Sequence, residues 1–419
     1  MTLVAAERPD GAEVVIDQEA LNAEALFSLG DHELVDPEDF EGKVVGVNEI
    51  DATEVDPRIR LVEIHVEDPF VAADPIGYAI VQNHVENVIE PMIRRENTGA
   101  TVRTEATSID ELNPFSQAWL AQPELQSLKG WRSLVPTARA LDYLTDPSIG
   151  REVVDKDGSV TVSTAETAAH WRFVDDAIGI RTRAVAMKTI TEEFLAGKVE
   201  QGDEAKPFNW LSLASGTAEP SLKAAKAIMD TTGNDVNLVV ADWDGKSLKL
   251  VAGNAERIGY EGELTTLQQN ILDENLADQV AEKAGVGQYE VVEDTGFKEY
   301  LPEDGDTMAA YKGQGLPQAS EFTRRQIELV APGGMMISGN MILLRSQGDF
   351  VFGAVDWPLI NARFEQEILG GYQKAGILDD PNLAVTMYRV IARPAEGSEK
   401  ATHIYNLVTV EKSRDYNAA

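Results

Sequence analysis

Beyond about residue 206 the chain alternates between apolar blocks of strand length and amphipathic stretches of helix length, and this order constrains the fold more than any other feature. WLSLAS is a block of the first kind and PSLKAAKAIMDTTG one of the second, with Pro220 in the first turn of the expected helix and Gly233 just past its end. VNLVVADWD then reads as a strand and GKSLKLVAGNAERIGY as a helix. ELTTLQQNIL, a helix over ENLADQVAEKAG, YEVVED, a helix from Ala319 to Val330 and GMMISGNMIL continue the series. Strand-helix units repeated in this order form a parallel sheet with both faces covered. LAVTMYRVIARP and HIYNLVTVEKS, separated by AEGSEKAT, predict an antiparallel pair that closes the sheet.

The preceding 200 residues follow another pattern. Residues 31 to 68 hold thirteen acids against Lys43, Arg58 and Arg60, with apolar pieces such as KVVGV and IRLVEIHV between them, and read as a poorly packed leader with short strands or a solvated surface layer. From Asp74 to Leu144 the spacing turns helical, as in YAIVQNHVENVIEPMI, and Pro114, Pro123 and Pro136 divide it into short helices. REVVDKDGSVTVS predicts a small hairpin around Asp157-Gly158. Ser163 or Thr164 caps the long helical stretch that follows and ends near Gly197, and the polar GKVEQGDEAKP after it makes a linker. Three regions are expected: 1–70, an acidic leader with short strands; 71–200, a helical lid or acceptor-binding region; and 201–419, the alternating core.

Composition removes several kinds of function. Of 419 residues none is cysteine, which excludes disulfides, thiolate metal sites and cysteine nucleophiles, and the five histidines show no i, i+4 pairing that would build a metal site. Seventy-one acids against 36 bases give a formal charge of −35, which repels nucleic-acid phosphates and anionic membrane surfaces. The acidity fits a salty cytoplasm or a merely acidic soluble protein. No apolar run approaches the roughly 18 residues of a membrane span, and MTLVAAERPDGAEV has no basic region followed by an apolar one, so a cytoplasmic location without stable membrane insertion is expected.

The turn in WLSLASGTAEPSL collects small residues around one glycine at the place where open parallel sheets bind ligands, beyond the carboxyl ends of the strands. Gly216 can take a positive φ, and its small neighbours let backbone amides approach a ligand. Asp242, 26 residues on at the end of the next strand, can accept both hydroxyls of a ribose. A dinucleotide site wants three glycines and a helix mouth free of carboxylates, whereas this helix opens on Glu219. An acid there suits a cofactor carrying an ammonium and a sulfonium, which points to S-adenosylmethionine.

On these residues, roughly 207 to 413 resembles the class I S-adenosylmethionine-dependent methyltransferases. LASGTA stands at the glycine-rich first motif, VVADWD at the ribose acid and LQQNIL at the adenine-contacting loop, with Ala214 and Ala218 replacing glycines and Ser212 replacing an acid. The resemblance implies an α/β, Rossmann-like sheet with an antiparallel last strand, joined to a mainly helical N-terminal domain. It implies that Leu213, Ala214, Ser215, Gly216, Thr217, Ala218 and Glu219 cradle the methionine part of the cofactor and Asp242 holds the ribose. Trp243 lies against the adenine, Asn270 and Ile271 frame its edge, and Glu293, Asp294 and Thr295 face the sulfonium and the acceptor. Trp243 has packing as its alternative role, and the two acids have capping or solvation.

A narrower resemblance lies in YEVVEDTGFKEYLPED, VAPGGMMISGNM and VDWPLINARFEQEILGGYQKAGI, which look like a bacterial subgroup linked to biosynthesis of 3-hydroxypalmitic acid methyl ester. It implies a small or lipid-like acceptor, with a fatty hydroxy acid carboxylate as the specific case. Arg181 and Arg183 are candidates to bind the cofactor carboxylate or an acidic substrate, or else are surface arginines on a helix. Tyr300, Tyr311, Asn340 and Trp357 are candidate acceptor contacts. A carboxylate acceptor needs no general base; a hydroxyl or amine would take Glu293, Asp294 or Asp356. Aminopropyl or aminocarboxypropyl transfer to an amine, and a non-catalytic protein that binds the cofactor on the same fold, are the rival readings.

Overall fold

The computed structural model describes residues 3–7, 13–17, 25–96, 114–135, 137–145, 152–155, 157–201, 207–303, 316–342, 346–355, 364–393 and 402–416. Strands β1 (Leu3–Glu7) and β2 (Glu13–Asp17) pair with each other. β3 (Lys43–Ile50) and β4 (Arg60–Glu67) follow. Short helices come next: α1 (Pro69–Ala73), α2 (Pro75–His84), α3 (Glu90–Glu96), α4 (Pro114–Trp119), α5 (Gln126–Arg132) and α6 (Ala138–Thr145). The expected hairpin is present as β5 (Glu152–Val154) and β6 (Val160–Val162). The long helical stretch is two helices, α7 (Ala165–Phe173), capped by Thr164, and α8 (Asp175–Glu200), broken by the extended backbone of Val174.

The alternating half folds as its pattern requires. β7 (Phe208–Leu213), α9 (Glu219–Thr232), β8 (Val236–Asp242), α10 (Gly245–Ile258), β9 (Leu264–Gln268), α11 (Leu276–Ala284) and β10 (Tyr289–Thr295) succeed one another. α12 (Ala319–Leu329), β11 (Val330–Met341), α13 (Gly348–Gly353), α14 (Glu365–Lys374), β12 (Leu383–Arg393) and β13 (Thr402–Lys412) complete it. α9 ends on Gly233, whose φ of +71° lets its N–H reach the carbonyl of Met229.

The nine-stranded sheet runs β3-β4-β12-β13-β11-β10-β7-β8-β9. β7 to β11 are mutually parallel where they pair, and β13 is antiparallel to both of its neighbours. This is a doubly wound, Rossmann-like sheet with an antiparallel last strand. The chain leaves β7 toward β8 on one side and returns to β10 on the other, so the strand order reverses between β7 and β10, the place beyond the carboxyl ends where sheets of this kind bind ligands.

The stretch IRLVEIHV, read as a short strand or surface layer, is β4, and it pairs in parallel with β12 from Arg60↔Thr386 to Glu67↔Arg393. α8 lies on the sheet so closely that a Cβ on Gly179 would stand 2.6 Å from Cβ of Ile404. One buried cluster joins Trp119, Trp131 and Trp171 to Phe350, Ile404 and Tyr405 and thus runs across residue 200.

Candidate functional site

At the end of β7 the turn takes the backbone its spacing suggests. Ala214, Gly216 and Ala218, alternate residues, all lie in the left-handed region, at φ of +51°, +55° and +58°. Glycine adopts this region freely, whereas each alanine does so at a cost of about 1–2 kcal/mol. Asp242 sits at the end of the neighbouring β8, buried, with one carboxylate oxygen accepting the Gly216 N–H at 2.8 Å and the other the Asp244 N–H at 2.8 Å. Burial raises its pKa, and the two backbone donors oppose that rise. Glu219, at the mouth of α9, is buried and ion-paired with Lys223 at 3.0 Å and Arg257 at 2.9 Å.

Helix α6 stands in front of this turn. A Cβ on Gly216 would lie 2.2 Å from the Cβ of Ala138, so the glycine is bare because α6 occupies the space above it. Thr217 donates its hydroxyl to Asp142 on the same helix at 2.6 Å. Arg181, a candidate ligand-binding residue, secures the other end of α6. It donates to the carbonyls of Leu144 and Trp171 at 2.9 and 3.0 Å and to that of Arg172, and it pairs with Asp68 at 2.7 Å. Its guanidinium is spent on the chain itself. Sequence reasoning missed Ala138 and Asp142, because nothing local in ARALDYL marks a helix that covers a turn more than 70 residues further on.

The two acids of β10 point to opposite faces, as the period of a strand demands. Glu293 accepts hydrogen bonds from Ser212, from Ser221 at 2.9 Å and from Thr295 at 2.6 Å. Ser212, which replaces the expected acid of the first motif, thereby answers an acid supplied by the next strand. Asp294 is fully buried beside Lys298 at 3.5 Å, Ser338 at 3.1 Å and Gln326. Burial lifts its pKa from 3.8 to about 6 against the pull of Lys298 and Gln326.

Of the remaining candidates, Trp243 is 78 % exposed and Asn270 is exposed with its side chain accepting the Leu272 N–H, while Ile271 is buried in the core. Leu213 and Asn340 are buried within β7 and β11. Tyr311, Asp356 and Trp357 lie outside the described residues.

Arg183 and Tyr300 do meet, in a cavity of about 60 Å³ beyond the ends of β10 and β11. Its walls are apolar and aromatic, with Trp131, Trp171, Phe350 and Tyr405 among them, and Leu141 and Leu144 bring in the reverse face of α6. α6 thus stands between the turn and the cavity.

For an adenosyl cofactor the site has part of the right chemistry: an acid ends β8 beside a turn of small left-handed residues, and the buried hydroxyl of Ser215 has no partner among the described residues, while the Gly216 and Ala218 N–H groups are already given to Asp242 and to the Ser215 carbonyl. The room is absent while α6 covers Gly216.

No family model matches the chain, and no curated protein matches it. Among solved structures it is similar to a possible exported protein from Bordetella parapertussis, at 16% identity and a TM-score of 0.45, over 69% of this chain and 87% of that one. It is also similar to the magnesium protoporphyrin IX methyltransferase from Synechocystis PCC 6803, at 12% identity and a TM-score of 0.32, over 57% and 83%. The O-methyltransferase from Bacillus cereus has 12% identity and a TM-score of 0.31, over 55% and 81%. Among the described residues no helix is long and apolar enough to cross a membrane.

Proposed function

We propose that this chain is an S-adenosylmethionine-dependent methyltransferase acting on a small or lipid-like acceptor, with a fatty hydroxy acid carboxylate as the specific case the sequence suggests. The observation that carries the reading is the left-handed triplet Ala214, Gly216 and Ala218 set beside Asp242 at the point where strand order reverses. Two alanines held in a conformation that costs about 1–2 kcal/mol each are what a turn retains when its backbone shape serves a ligand. Leu213 to Glu219 would hold the methionine part and Asp242 the ribose, with Trp243, Asn270 and Ile271 toward the adenine. When bound, the cofactor supplies a methyl group on a positively charged sulfur, and the protein's part is to position it and keep water out. Glu293 and Asp294 are engaged with the chain, and a carboxylate acceptor asks for no base.

A specific observation favours a second reading, a protein of the same fold that neither binds the cofactor nor turns anything over. Asp242 already satisfies the Gly216 N–H, and α6 fills the space in front of it. Binding therefore requires α6 to withdraw. Calorimetric titration with S-adenosylmethionine and S-adenosylhomocysteine separates the two. The methyltransferase reading expects micromolar binding, weakened at least tenfold in Asp242→Ala and strengthened in Asp142→Ala, which frees α6 from Thr217. No binding to either compound by the folded protein, and none by Asp142→Ala, would leave the second reading in place.

A further inference from the structure

The cavity behind α6 is built around a guanidinium that the chain leaves without an acceptor. Arg183 is 5 % exposed and lies over the ring of Tyr405 at 4.5 Å; among the described residues it makes no ion pair and no hydrogen bond. The ring face offsets part of the cost of burying the charge but takes up none of the N–H donors. A buried guanidinium in this state is costly, so water or a ligand must complete it. Tyr405 repeats the pattern. Burial raises the pKa of its phenol and so keeps it protonated, and its hydroxyl makes no hydrogen bond among the described residues. Two donors, one of them charged, therefore belong to residues that line the same cavity and lack a partner within the chain.

Charge, shape and size each narrow the choice of ligand. Asp176 and Glu299 also line the cavity, but they have partners of their own and neither pairs with Arg183. His170, with its pKa lowered to about 4 by burial, is neutral near pH 7 and adds no charge. The guanidinium is thus the charge left to match, and it calls for an anion. The two acids nearby make a second negative charge unfavourable, so a monoanion is preferred over sulfate or phosphate. A guanidinium fork takes two oxygens of a planar carboxylate side by side, and walls that include Trp131, Trp171 and Leu141 suit a methyl group. A cavity of about 60 Å³, against roughly 30 Å³ for one water in the liquid, leaves room for a few bonded heavy atoms and no chain. We propose that this cavity binds a carboxylate of one or two carbons, formate or acetate, with its oxygens on Arg183 and one of them also accepting from the Tyr405 hydroxyl. The site lies behind α6, away from the turn after β7, and does not rest on the function proposed above.

The test is an NMR titration of the intact protein with isotope-labelled acetate and formate at constant ionic strength, with chloride, sulfate and hexanoate as competitors. Acetate and formate should bind saturably. Chloride, which cannot bridge the fork, sulfate, which carries a second charge, and hexanoate, which is too long, should each displace labelled acetate at least tenfold less well than unlabelled acetate does. Arg183→Met should weaken acetate at least tenfold. Tyr405→Phe, which keeps the ring beneath the guanidinium and removes only the hydroxyl, should weaken it roughly three- to tenfold. Absence of saturable acetate binding would mean that water completes Arg183. Acetate binding that survives Arg183→Met, or that hexanoate or sulfate matches, would put the anion outside the cavity. Either result overturns the proposal, and Tyr405→Phe locates the ligand even if Arg183→Met fails to fold.

Discussion

Two buried titratable groups respond to pH in opposite directions, and both can be read residue by residue. Asp294 has its carboxyl raised from 3.8 to about 6 by burial. Between those values the folded state binds more protons than the unfolded one, so its contribution is fully present below about pH 4 and lost as pH rises through 6. The full loss is about 3 kcal/mol. Asp294→Asn, a neutral mimic of the protonated form, should therefore gain on the wild type as pH rises from 4 to 7, then level off. Urea denaturation across that range checks it, and a difference profile without slope would mean that Asp294 stays ionised. His170 does the reverse. Burial among Phe27, Trp119 and Phe350 lowers its pKa to about 4, so the unfolded chain takes up the proton first and stability falls as pH drops from 6.5 toward 4. His170→Phe should make that acid limb shallower, whatever its offset at neutral pH, and the neighbouring His84, lowered by burial to about 3, keeps the remainder.

At the scale of elements, α6 covers the turn after β7 with one face and lines the cavity with the other. Gly216→Ala introduces two penalties, a left-handed alanine and an overlap with Cβ of Ala138 at 2.2 Å, together about 3 kcal/mol. In an Ala138→Gly background the nearest remaining atom is the Cα of residue 138 at 3.6 Å, so the overlap vanishes and the conformational cost of about 1 kcal/mol is left. A double-mutant cycle on chemical denaturation should return a coupling of about 1–2 kcal/mol. A coupling near zero would mean that α6 does not rest on the turn in solution, and with it would go the requirement that α6 withdraw before a cofactor binds. The turn itself was legible: its small residues, Pro220 and Gly233 are local signals for a strand, a tight turn and a helix. Its cover was not, because α6 docks through the methyl of Ala138 and one hydroxyl contact to Asp142, neither of which leaves a periodic mark.

At the scale of the molecule the same distinction holds. Buried parallel strands announce themselves as continuous apolar blocks, which is why β7, β8, β10 and β11 could be read in order, and the closing pair β12 and β13 as long alternating runs. β4 gave only the half-buried alternation of IRLVEIHV, and its parallel partner β12 lies more than 300 residues away, so no local pattern could assign it to the sheet. The charged stretch GKVEQGDEAKP suggested a boundary near residue 200, yet contacts cross that point in two layers. β4 covers the edge of β12 along its length, and α8 packs Ala186, Met187 and Ile190 into the cluster that holds Trp210, Leu238 and Ile337. Residues 201–419 alone would expose the long edge of β12, a template for association between chains, together with the face that α8 covers. We expect this fragment to be aggregated or unfolded, and the whole chain to unfold in one calorimetric transition. A soluble fragment with a cooperative transition of its own would instead make residue 200 a true boundary. β4 and α8 would then be attachments to a sheet that is stable without them.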